Sequence, residues 1–185
     1  MMALPNNLIT GVTAKLPGIP GDWKKQAAQS RATRMATARA DAMLRRESYR
    51  ISIEPVSVRL PFPPSLNHYY RRAVVAGHAA SYISKRGKIY RDAVVTQWQR
   101  DVRVTFEGNL AIKVAAVFPD RRKYDLDGLW KALLDSLEHA GAYADDSQIT
   151  AESMESVGVE KPGWVDIILG PRPGQRQGTL FETQW

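Results

Sequence analysis

The residues best placed to do chemistry lie between Arg121 and Ser147, where the chain reads RRKYDLDGLWKALLDSLEHAGAYADDS. Asp125 and Asp127 stand two residues apart at an expected strand-to-helix junction. In extended backbone such a pair projects to one side and can share a ligand. Lys131 follows Asp127 by four residues, on the same expected helix face and off its leucine stripe, within reach of a group that aspartate binds. A second pair, Asp145-Asp146, precedes an expected strand. If the pairs converge, two carboxylates at about 4 Å repel by about 4 kcal/mol at an effective dielectric of about 20, so a cluster of three calls for a cation or a raised pKa. Mg²⁺ answers that need: it takes hard oxygen ligands, keeps waters and is commonly shared with a substrate phosphate. It would lower the pKa of a bound water and neutralise the charge that develops in phosphodiester hydrolysis. Spacing alone also admits a structural reading, with Asp127 as a cap, an Asp127–Lys131–Asp135 ion-pair ladder, and Asp145, Asp146 and Ser147 as turn formers. The intervening helix, about 16 residues, would span about 24 Å, so convergence requires the chain beyond it to come back.

The elements that must position these groups follow from periodicity. ISIEPVSVRL, from Ile51, reads as a strand leading into the rigid PFPPSLN segment. Residues 71–87 read as a loop, after which IYRDAVVTQWQRDVRVTF has helical spacing with Ile89, Ala93, Val94, Trp98 and Val102 near one face. NLAIKVAAVFP (109–119) is apolar and β-branched, as for a central strand buried on both sides. DLDGLWKALLDSLEHAG reads as a helix with Leu126, Trp130, Leu133, Leu134 and Leu137 inward and Gly141 as its left-handed stop. ITAESMESVGVE and GWVDIILG, joined by Lys161-Pro162-Gly163, look like an antiparallel hairpin. The expected class is α/β (α+β): a small mixed sheet in β-α-β-α-β-β order with helices packed on it, and a right-handed crossover where a helix joins parallel strands.

Residues 51–170 thus form the expected folded domain, flanked by a basic arm at 1–50, partly disordered or helical, and a flexible tail at 171–185. Residues 1–23 are dense in Pro and Gly, and Asp22 to Arg50 carries eight Lys/Arg against three Asp/Glu, which is most of the chain's net charge of +7. That balance favours polyanions, nucleic acid first. No apolar run approaches the roughly 18 residues of a membrane span, and no signal-peptide pattern opens the chain, so a cytoplasmic protein is expected. The chain has no cysteine, which removes disulfides, zinc-thiolate sites and thiol nucleophiles. His68, His78 and His139 lack metal-ligand spacing, and no P-loop or GxSxG motif supports ATP use or serine chemistry.

The acidic segment resembles the RusA-type Holliday junction resolvases. Their D-x-D-N-x-x-K segment, which opens a helix and is followed by D-D before a strand, is matched by Asp125-Leu126-Asp127-Gly128-Leu129-Trp130-Lys131 and Asp145-Asp146-Ser147-Gln148-Ile149. Upstream, LPFPPSLNHYYR matches the family's Pro-rich loop with Asn67 at its asparagine, and Tyr90-Arg91 matches the opening of the next helix. Gly128 departs from the pattern, where Asn is usual. The resemblance, spanning roughly Val56 to Leu169, implies a homodimeric RusA-like fold, with phage and prophage settings common among relatives. It implies an endodeoxyribonuclease that cuts four-way junctions by paired symmetric nicks in recombination and repair. Asp125, Asp127 and Asp146 would bind Mg²⁺, with Mn²⁺ as a substitute, and Lys131 would be the catalytic or phosphate-contacting lysine. Two-fold symmetry suits a dimer whose sites cut opposed strands in one encounter.

Asn67, Arg71, Arg72, Lys85, Arg86 and Lys88 are the expected DNA contacts, making binding dependent on salt, and Tyr69, Tyr70 or Tyr82 could stack on an unpaired base. In the tail, Gln177, Leu180 and Phe181 resemble the Q-x-x-L-F peptide that bacterial sliding clamps bind. Competing readings are a non-catalytic branched-DNA-binding or clamp-associated protein, and a flap or general branched-DNA nuclease.

Overall fold

The computed structural model describes residues 23–75 and 78–174. In chain order the elements are α1 (Trp23–Glu47), β1 (Arg50–Ile51), β2 (Val56–Pro61), α2 (Leu66–Tyr69), β3 (Tyr70–Val75), β4 (His78–Ile83), α3 (Lys85–Asp101), β5 (Val104–Thr105), β6 (Leu110–Phe118), α4 (Asp127–Ala140), a 3-10 turn (Asp146–Gln148), β7 (Ile149–Val159) and β8 (Trp164–Pro171). The main sheet has the order β2-β8-β6-β7. β6 pairs parallel with β7 and antiparallel with β8, which in turn pairs antiparallel with β2. The expected β-α-β-α-β-β core is therefore present as β2, α3, β6, α4, β7 and β8.

The expected β7–β8 hairpin does not form, because β6 lies between the two strands. Composition explains the arrangement: the apolar runs of β6 and β8 occupy the centre, while β7, with Glu152, Ser153, Glu155 and Ser156, stands at the edge where polar side chains stay hydrated. The connecting turn crosses the end of β6, and Gly163, at φ 83°, passes so close that a Cβ there would sit 2.8 Å from Pro119.

β6 is central but not closed on both sides. Leu110, Ile112, Val114 and Ala116 are buried, whereas Ala111 and Ala115 are half-buried and Lys113 is exposed. On that open face the Arg59 guanidinium pairs with Asp166 at 2.7 Å and lies 4.6 Å from the centre of the Trp164 ring. The extended reading from Ile51 breaks at 52–55, so that β1 pairs with β5 and β2 joins the sheet separately.

Residues 71–87 are not a loop. β3 and β4 form an antiparallel hairpin with Arg71 opposite Tyr82, and α3 starts at Lys85, ahead of the expected Ile89. The Ser84 hydroxyl caps α3 by accepting from the Gly87 amide at 3.0 Å. Only glycine fits at 87, where a Cβ would come within 2.6 Å of the Tyr69 carbonyl oxygen. The buried face of α3 is Gly87, Tyr90, Val94 and Trp98, and Ile89 instead stays 60% exposed.

α4 buries Leu129, Ala132, Leu133, Ser136, Leu137 and Ala140. This stripe is rotated from the expected one, since Leu126, Trp130 and Leu134 are only half-buried. Gly141 ends the helix at φ 84°, with the Ala142 amide donating back to the Leu137 carbonyl at 3.0 Å. The end of α1 docks here: Arg45 Nε and Nη2 donate to the His139 carbonyl at 3.1 and 2.7 Å, and Tyr49 is buried. Among the described residues no helix is long and apolar enough to cross a membrane.

Candidate active site and nucleic-acid cleft

Asp125 is reached through a segment folded by its own side chains. Phe118 at the end of β6 stacks on Tyr124 at 4.7 Å between ring centres, and Phe62 from the Pro-rich loop meets both rings edge-on. Asp120 accepts from Arg122 Nη2 at 2.6 Å and from the Tyr124 hydroxyl at 3.1 Å. These Arg122 and Tyr124 bonds hold the Asp120 carboxyl well below the usual range. Asp125 then folds back so that its Oδ1 accepts from the Asp127 amide at 3.2 Å, while Leu126 is already helical at φ −62°, ψ −40°. The extended geometry expected between the two aspartates is therefore replaced by a helix-opening turn. Both side chains remain exposed.

The return of Asp146 depends on Tyr143. This buried tyrosine donates its hydroxyl to the Leu134 carbonyl at 2.9 Å, leading the chain back along α4 from Ala142, beside Leu137, towards Lys131. Lys131 Nζ lies 3.0 Å from Asp146 Oδ2 and 2.8 Å from Asp135 Oδ1. Burial lowers the Lys131 pKa, but the bonds to Asp135 and Asp146 outweigh it and hold the ammonium well above its ordinary value. One-half of the ladder expected on α4 is present, between Lys131 and Asp135; the lysine's other carboxylate is Asp146.

Asp145 and Asp146 divide their work. Asp145 caps the 3-10 turn, accepting from the Ser147 amide at 2.9 Å, while Gln148 Oε1 accepts from the Ala144 and Asp145 amides at 2.8 and 3.3 Å. The Ser147 bonds lower the Asp145 pKa. Asp146 has no such duty and faces Lys131.

Two groups escaped the sequence reading as site members. Asp135 was visible only as a rung of the ladder, and Tyr70 only as a candidate for stacking. The Tyr70 hydroxyl donates to Asp135 Oδ2, with burial first and then this bond raising the tyrosine pKa. Glu138, one turn beyond, is pushed up by burial and then by Asp146, Asp135 and Asp145.

Among the described residues no three His, Cys, Asp or Glu side chains form a group tight enough to hold a metal ion. The donor chemistry nevertheless fits a hard divalent cation, because Asp125, Asp127 and Asp146 offer carboxylate oxygens alone and Asp146 already attracts an ammonium.

Of the expected DNA contacts, Arg71, Lys85 and Arg86 line one open cleft of about 450 Å³ with His68, Tyr82, Ser84 and Ile89. Asn67, Arg72 and Lys88 are exposed on α2, β3 and α3, outside that lining. Of the three tyrosines considered for stacking, Tyr69 is fully buried, Tyr70 is engaged by Asp135, and Tyr82 is 53% exposed beside Arg71. Gln177, Leu180 and Phe181 lie outside the described residues.

The family model for endodeoxyribonuclease RusA matches residues 61–168. The chain belongs to the RusA family. Its relatives include the crossover junction endodeoxyribonuclease RusA of Enterobacteria phage HK97, 45% identical over 92 residues, covering 48% of this chain and 72% of the relative. The protein of the same description from Shigella sonnei strain Ss046 is 34% identical over 116 residues, 61% of this chain and 92% of the relative. That of Enterobacteria phage 82 is 33% identical over 115 residues, 60% and 91% respectively. The acidic and basic groups of the candidate site and cleft lie within the RusA match, whereas α1 precedes it.

Proposed function

We propose that this RusA-family chain is a Mg²⁺-dependent endonuclease that resolves four-way DNA junctions. The carrying observation is the Lys131–Asp146 contact at 3.0 Å, which joins the second acidic segment to the helix opened by Asp125 and Asp127. The names of the relatives supply the substrate class, crossover junctions. Asp125, Asp127 and Asp146 would hold Mg²⁺, or Mn²⁺ in its place. Bound there, the ion would supply an activated water and neutralise charge at the phosphate. The chain's own residues do the rest: Lys131 contacts the phosphate, and Arg71, Lys85 and Arg86 grip the backbone in the cleft with Asn67, Arg72 and Lys88 beside it. The exposed Tyr82 ring offers a face to an unpaired base.

The nuclease unit is residues 51–170, preceded by the 1–50 basic extension and followed by the 171–185 tail, whose Gln177, Leu180 and Phe181 would dock on a sliding clamp. The unit acts as a homodimer in the cytoplasm of a bacterial host, since a two-fold substrate is resolved only when opposed strands are both cut.

Incubating the purified chain with an end-labelled synthetic four-way junction and Mg²⁺ tests the reading. Symmetric nicks in opposed strands are expected. Cuts confined to a flap substrate would reassign it as a flap nuclease, and binding with no cleavage in Mg²⁺ or Mn²⁺ would leave it a non-catalytic junction binder.

A further inference from the structure

Lys131 sits between two carboxylates that differ in how firmly they are held. Asp135 is on the same helix, one turn on, with a side chain only 16% exposed and its second oxygen taken by the Tyr70 hydroxyl. Asp146 is 40% exposed and, among the described residues, has Lys131 as its side-chain partner, whereas Asp145 is fixed by Ser147. Lys131 contacts one Asp146 oxygen, Oδ2, so a divalent ion taken up by this carboxylate would stand beside the ammonium, and the two cations would repel. That repulsion favours the lysine's other partner, the firmly held Asp135.

We propose that Asp135 is a positioning residue that receives Lys131 when a divalent ion takes Asp146, keeping the ammonium beside the reacting phosphate instead of in competition with the ion. This inference rests on the reading of Asp146 as a metal ligand. Tyr70 fixes the acceptor from the other side. It is the first residue of β3 and directly precedes Arg71 of the basic cleft, so the hairpin that meets DNA and the lysine that meets the scissile phosphate share one carboxylate.

Removing the charge of Asp135 takes away the lysine's second carboxylate, so the ammonium stays on Asp146 and opposes an incoming ion. Mn²⁺ binding to the full-length, DNA-free protein, followed by calorimetric titration, measures this without reference to activity. Asp135→Asn should weaken Mn²⁺ binding by about fivefold, within the range for residues of one ion-pair network. Lys131→Gln should not weaken it, and in the Lys131→Gln background the Asp135→Asn change should cost less than about twofold. Asp135→Glu, which keeps the anionic acceptor, should stay within about twofold of the parent. Thermal melts verify that each variant is folded.

Parental Mn²⁺ affinity in Asp135→Asn would overturn the inference. So would a loss of the same size with and without Lys131, which would mean that Asp135 acts on the ion through its charge alone. Asp146→Asn separates the two levels of the argument: parental Mn²⁺ binding in that variant would remove the metal reading itself, whereas its loss alongside an unaffected Asp135→Asn would remove only the role given to Asp135.

Discussion

At the scale of single residues, the adjacent Asp145 and Asp146 show how backbone context decides what a carboxylate does. Asp145 has extended backbone, φ −157° and ψ 141°, and spends its side chain on the Ser147 amide. Asp146, one position on, points at Lys131. Asp145→Ala should therefore lower the melting temperature by about 2–4 °C, the loss of a cap, yet retain junction cleavage once folded. Asp146→Asn should leave the melting temperature near that of the parent and abolish cleavage while junction binding persists. Parental cleavage by Asp146→Asn, followed on a labelled junction, would contradict the assignment. Gly128, the departure from the family pattern, is not dictated by crowding: a Cβ there would lie 3.8 Å from Asp125 Oδ2, an ordinary contact.

At the scale of elements, the strongest periodicities were legible in the sequence and the pairings were not. The apolar spacing of α4 and its Gly141 stop could be read directly, but its stripe was rotated, because Trp130 packs at the rim of the core while the smaller Ala132, Ser136 and Ala140 are fully buried. The β3–β4 hairpin was missed because its residues, YRRAVV and HAASYI, lack alternation: both faces are largely exposed and the register is held by main-chain pairing and the Tyr69–Ser84 clamp. The convergence of Asp146 on Lys131 could not be computed from helix length. It depends on the Tyr143 tether, and a tyrosine after a helix-stop glycine gives no sequence signal of that role.

The docking of α1 on the end of α4 was likewise invisible, since it runs through a backbone carbonyl. It has a consequence for pH. Burial, and then the nearby Arg91 and Arg45 guanidinium groups, push the His139 imidazole down to about 4 from an ordinary 6.5. In the unfolded chain this group takes its proton near 6.5, so the unfolded state binds more protons between the two values. The stability from keeping His139 neutral is complete above that window and is lost as pH falls through it. Melting curves should show the parent losing more between about pH 7 and about pH 4 than His139→Gln does; equal losses would show that His139 is not the titrating group.

At the scale of the whole molecule, a chain of net charge +7 places its acidic site next to a basic cleft. Tyr70 links the two, since the residue after it lines the cleft and its hydroxyl meets the carboxylate that holds Lys131. A long-range field of this sign attracts DNA, and on the proposed reading the local carboxylates would reserve one spot on that surface for a cation. Most of the net positive charge lies in the segment up to Arg50, outside the RusA match, so relatives of about the matched length need not share this part of the field. In the proposed function the three carboxylates at 125, 127 and 146 would act together on one ion. A crystal grown with Mn²⁺ and read by its anomalous signal tests this most directly. The expected result is a peak within about 2.5 Å of oxygens from Asp125, Asp127 and Asp146, with Lys131 retained by Asp135. A peak held elsewhere, or one from which Asp146 stands apart, would contradict it.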